Sequence, residues 1–66
     1  RYDDASRVLQ RAVAGAPNEP LLNFHLGMAL HKAGNAEQAR THLKKALETS
    51  GSFPGAEEAK KILASG

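Results

Sequence analysis

The chain has no cysteine and no tryptophan, and only one tyrosine and two phenylalanines. Without thiols there is neither a disulfide nor a thiolate metal site, and the redox compartment leaves no mark on the residues. With so few rings, the stacking aromatics of single-stranded nucleic-acid binders are missing. Arg40, Lys44 and Lys45 gather on one segment with no aromatic beside them. The net charge of +2 is a small excess, so these cations read as a solvated outer face and no nucleic-acid partner is expected. No apolar run approaches the roughly 20 residues that cross a bilayer, so no membrane insertion is expected. No β-branched alternating run exists, so no strand is expected. No signal peptide shows either, because the chain opens RYDDASRVLQ, already helical in pattern. That opening reads as the middle of a longer protein, and the residues name no compartment.

What is present is ordinary for a small globular chain. At 66 residues, 41% hydrophobic and 24% charged, it is one small domain or a piece of a larger one. A core this thin usually needs a disulfide, a metal or a partner to reinforce it, and the first is excluded. Catalytic constellations are missing. His25 and His31 lie six apart, on different helical faces, whereas a helical metal pair sits four apart. His42 stands alone, and no nucleophile–base spacing is recognisable. The glycines fall at helix ends or helix contacts, not in a phosphate-cradling loop. Neither an enzyme nor a cofactor nor a metal is expected.

Three breaks divide the chain into four helical segments. In APNEP (16–20), Asn18 or Glu19 can cap a helix that Pro20 opens, since proline has no N–H to leave unpaired. At Gly34-Asn35, glycine can take the left-handed conformation that ends a helix. Asn35 can then cap the next one, with Gln38 completing a capping box. In GSFPG (51–55), Pro54 stands near another start, with Glu57 and Glu58 against the positive helix end. The spacing predicts helices over 2–15, 20–33, 36–49 and 54–64.

The first and third helices are copies. Ala5, Leu9, Ala12 and Val13 recur as Ala39, Leu43, Ala46 and Leu47, each shifted by 34 residues. Asp3-Asp4-Ala5 matches Glu37-Gln38-Ala39 in its polar–polar–small order, and Arg11-Ala12 matches Lys45-Ala46. A constant shift of this size marks a stacked array of helical hairpins.

Leu26-Gly27, Leu30, Gly34, Ala39, Leu43 and Ala46 follow the order L-G-x-x-Y…G…A-x-x-x-F…A. The chain therefore resembles the tetratricopeptide repeat family. Leu30 stands for the usual Tyr and Leu43 for the usual Phe, while Asn23 sits where the family prefers Trp and Gly51 where it prefers Pro. Pro17 keeps the proline of the preceding partial copy. The resemblance implies an all-α, right-handed helical-hairpin solenoid. Residues 1–17 would be the second helix of a truncated repeat, 18–51 a complete repeat and 52–66 a C-terminal capping helix. Small residues suit such an array: Gly27 lets a neighbouring helix approach, and Ala39 and Ala46 fill contacts that larger groups would overpack.

The second helix carries two apolar stripes where a helix with one core needs one. Leu22, Leu26, Ala29, Leu30 and Ala33 form the first, expected to pack on the third helix through Ala39, Leu43 and Leu47. Leu21, Phe24, Met28 and His31 form the second. In the family, that face of a repeat's first helix lines the concave surface where peptides bind. The resemblance thus makes Leu21, Phe24, His25, Met28, His31 and Lys32 the candidate partner-binding residues. The other reading is internal, with the same stripe packing on the adjacent repeat or on the first helix. Some family members hold a peptide's terminal carboxylate here with Lys and Asn. Phe24 and Met28 occupy those places, so that clamp is absent. An apolar, Met-containing surface suits an amphipathic helix or an extended apolar peptide.

The last segment is amphipathic through Ala56, Ala59, Ile62 and Leu63, with Glu57, Glu58, Lys60 and Lys61 outside. A polar-backed terminal helix keeps the end of a solenoid in solution. The stretch from His25 to Leu63 is also similar in wording to C-terminal ends of bacterial repeat proteins linked to exopolysaccharide production and exosortase-type protein sorting. The expected function is a scaffold or adaptor that binds another protein. The alternative is a structural cap or self-association segment of a longer repeat protein, with the groove upstream. Val8, Leu9, Ala12 and Val13 lie on faces that an upstream helix would cover, so the isolated chain is expected to pair with a second copy.

Overall fold

The computed structural model describes residues 2–65. Four α-helices follow in order, α1 (Tyr2–Gly15), α2 (Pro20–Lys32), α3 (Ala36–Thr49) and α4 (Ala56–Ser65), with no strand among the described residues. Each packs on the next in sequence, α1 on α2, α2 on α3 and α3 on α4. This is the helical-hairpin array expected from the internal repeat.

The turns explain where the helices stop. Gly34 has φ +91°, and the Asn35 and Gly34 N–H groups donate to the Leu30 and His31 carbonyls at 2.8 and 3.2 Å. That pair of bonds is a Schellman closure, which satisfies carbonyls that a helix end leaves open. Asn35 does precede α3, but its side chain makes no capping bond. Its backbone is instead committed to closing α2, and its carbonyl accepts from Ala39 N–H at 3.0 Å. The capping box with Gln38 is therefore not formed. Glu19 likewise stands before α2 without a side-chain cap, while Pro20 takes the first helical turn as expected.

α4 starts two residues later than its predicted position. Phe53, Pro54 and Gly55 form a turn closed by Ala56 N–H to the Phe53 carbonyl at 3.0 Å. Gly55 has φ +100°, which cannot belong to a right-handed helix.

Two apolar clusters hold the layers together. Val13, Leu26, Leu30 and Ala39 join α1, α2 and α3, with Leu9 and Leu22 against them. Phe24, Leu43, Ala46, Phe53, Ala56 and Ala59 join α2, α3 and α4, with Met28, Leu47, Ile62 and Leu63 alongside. The two stripes of α2 thus serve two neighbours. Leu26 and Leu30 face the first cluster, and Phe24, from the other stripe, is an internal joint to α4. Gly27 sits between them, where a Cβ would lie 2.7 Å from both Cγ and Cδ2 of Leu43 and 3.2 Å from the Ala39 carbonyl. The helices meet so closely that only a hydrogen fits.

Arg40 departs from the solvated face assigned to it. It is half-buried, and its Nη1 donates to the Leu63 carbonyl at 3.0 Å. A guanidinium on the last carbonyls of a helix is favoured by the helix dipole as well as by the bond. Lys44 stays exposed.

Candidate partner-binding cleft

A cleft of about 470 Å³ opens beside α2. Ala5 and Leu9 of α1 form one wall, and Phe24, His25, Met28, Ala29 and Lys32 of α2 form the other. Glu58 of α4 stands at its edge. Helical spacing on α2 sets this arrangement, since residues 25, 28, 29 and 32 fall three or four apart and share a face. The wall is mostly apolar, with His25 and Lys32 exposed at the rim.

The six candidate residues do not form one surface. Four of them, Phe24, His25, Met28 and Lys32, line the cleft. Phe24 does so although it is only 8% exposed. Its ring packs on Phe53 at a centroid distance of 5.4 Å and meets His25 edge-on at 5.6 Å. Met28 is half-buried between the cleft and the α4 joint. Leu21 is exposed but lies outside the cleft, and His31 borders a separate hollow with Ala36, Arg40, Ile62 and Ser65.

A second feature, deeper in the hairpin, escaped the reading of the sequence. Asn23 is fully buried. Its Nδ2 donates to the Pro17 and Glu19 carbonyls at 2.9 and 3.2 Å. Those bonds leave Oδ1 as the acceptor for Nδ1–H of His42, 3.0 Å away. The amide therefore ties the turn before α2 to α3 and leaves no buried polar atom unmatched. Burial first, and then the neighbouring Lys45 ammonium, hold the His42 imidazole below its ordinary pKa. The signal was available, because a polar residue sits where the family prefers a large apolar one.

No group of three or more His, Asp or Glu side chains able to hold a metal occurs among the described residues. None of their helices is long and apolar enough to cross a membrane.

Residues 1–64 match the family described as tetratricopeptide repeat. The chain belongs to that family. No curated protein and no solved structure matches it. Tetratricopeptide repeats are generally non-enzymatic protein-interaction modules, and membership suggests an interaction module here. Within the repeat, Leu26-Gly27 and Leu30 of α2 meet Ala39 and Leu43 of α3 in the core, as the motif residues should.

Proposed function

We propose that this tetratricopeptide repeat chain is an adaptor that holds an apolar or amphipathic helical segment of another protein in the cleft between α1 and α2. The observation that carries the reading is the cleft itself, an open apolar trough walled by Leu9, Met28 and Ala29 with polar groups only at its rim. Removing such a surface from water is the main source of binding energy for amphipathic partners. α4 has the complementary role of closing the far end, with Lys60 and Lys61 exposed on its outer side.

A fluorescent, helix-forming peptide of leucine, glutamate and lysine tests the reading by polarisation. It should bind the chain saturably, and Met28→Lys should weaken binding at least about tenfold while helicity is retained. Equal binding by the variant would remove the cleft as the site. A second reading, pairing of two chains through α1, draws on Val8, which is 67% exposed.

A further inference from the structure

The two turns that border α2 are held in different ways. The turn at Gly34 is closed by backbone, through the Gly34 and Asn35 N–H groups. The turn at 16–20 has fewer donors, because Pro17 and Pro20 carry no N–H. Within it the Glu19 N–H donates to the Ala16 carbonyl at 3.2 Å. The Pro17 and Glu19 carbonyls both accept from the side-chain amide of Asn23, which is 0% exposed. This turn joins α1 to the α2–α3 hairpin. Its hold on the chain runs through one amide and, behind that amide, through His42 of α3.

The same network decides where a proton can go. Turning the amide over would set Oδ1 against two carbonyls, acceptor against acceptor. Oδ1 therefore faces His42, and Nδ1 of the neutral ring carries the hydrogen. The next proton enters at Nε2. The cation it makes is half-buried beside Lys45, the charged group that acts on the ring from α3. α2 turns the neutral Asn23 amide toward it, and the turn's acid, Glu19, has an exposed side chain. A charged imidazole gains by swinging toward water, and Oδ1 of Asn23 then lies buried without a donor. The amide escapes that state by leaving its present orientation, and with it the Pro17 and Glu19 carbonyls.

We propose that Asn23 and His42 form a proton-operated lock on the turn 16–20. One proton on the ring frees the turn that sets α1 against α2, while the α2–α3 hairpin stays closed. The hairpin does not depend on the lock: Leu26, Ala39 and Leu43 are each 0% exposed, and the Gly34 turn closes its other end. The lock is also independent of what fills the cleft. His25 and His31 are exposed and serve as internal references.

Nuclear magnetic resonance of the whole chain between pH 7.5 and 5 tests the lock. At pH 7.5 the ring shifts of His42 should report the Nδ1–H tautomer. The Asn23 side-chain amide and the Asn18 and Glu19 N–H signals should move together with His42, with a midpoint below the ordinary histidine value of about 6.5. Exchange of the Glu19 N–H, corrected for its intrinsic rate, should rise at least about tenfold over that range. Exchange of the Asn35 N–H, in the backbone-closed turn, should not. His42→Gln should abolish the movement, and Lys45→Gln should raise its midpoint. An Nε2–H tautomer at neutral pH, or turn signals that stay flat while His42 titrates, would overturn the lock. So would loss of protection at Leu43 and Ala46 with the same midpoint, for the proton would then open the hairpin and not the turn alone. A response that follows His25 or His31 and survives in His42→Gln would overturn it as well.

Discussion

Phe24 and Gly55 are in direct contact, so that a single methyl group on residue 55 would overlap the phenyl ring at Cζ and Cε2. The turn before α4 is shaped around that ring. Gly55 also has φ +100°, a conformation that costs an L-residue on the order of 1–2 kcal/mol.

Gly55→Ala should therefore destabilise through both routes, with overpacking adding about 1–3 kcal/mol. Gly34→Ala separates them, because Gly34 has positive φ but nothing within 4 Å. It should lose only the backbone share. Gly51→Ala is the control: no atom lies within 4 Å and φ is not positive, so stability should hold or rise slightly. Urea midpoints of the three variants test the ranking, and equal losses at residues 34 and 55 would remove the ring contact as a cause.

The Asn23–His42 pair makes stability depend on pH with a definite sign. His42 is held below its ordinary pKa in the folded chain, chiefly by burial and then by Lys45. Between the folded and unfolded values, the unfolded chain binds more protons. Stability is thus full above the unfolded value of about 6.5 and falls as pH drops, levelling off beneath the folded value. Unfolding curves from pH 7.5 to 5 should show that fall, and His42→Gln should flatten it. Asn23→Ala should cost about 1–3 kcal/mol and couple non-additively to His42→Ala, since the two share one network. Parallel pH curves for wild type and His42→Gln would defeat the assignment.

Gly27→Ala tests the close crossing of α2 and α3. In an exposed helix interior this change would stabilise by about 1 kcal/mol. Here the new methyl would lie 2.7 Å from Cγ and Cδ2 of Leu43, which is 0% exposed. The net effect should be a loss, visible as a lower thermal midpoint. Ala39→Leu, at a position also 0% exposed, should cost roughly 1–3 kcal/mol by the same overpacking. A raised midpoint for Gly27→Ala would show that the helices have slack.

Helices α1 and α3 were legible because their apolar spacing repeats in one register, and the hairpin array followed from that repeat. The double stripe of α2 was legible as a pattern, but its meaning was not. Spacing shows which residues share a face, not which neighbour covers it, and Phe24 turned out to be covered by Phe53 and α4. Leu21 and His31 share that spacing yet lie outside the cleft, because the stripe winds past the end of the wall. Arg40 carries no local sign of its partner: Leu63 lies 23 residues on, and a bond to a backbone carbonyl leaves no side-chain signature. The start of α4 was misplaced because Pro54 suits a first turn, whereas the decisive residue was Gly55.

Phe24 has a thermodynamic consequence that neither of its contacts has alone. The same side chain lines the cleft and belongs to the joint with Phe53, Ala56 and Ala59. Occupancy of the cleft and docking of α4 are then linked functions of one side chain. A guest that fixes the ring reduces the fraying of α4, and a docked α4 by reciprocity raises affinity for the guest. Hydrogen exchange in α4, whose Glu58 stands at the cleft's edge, becomes a gauge of whether the trough is filled.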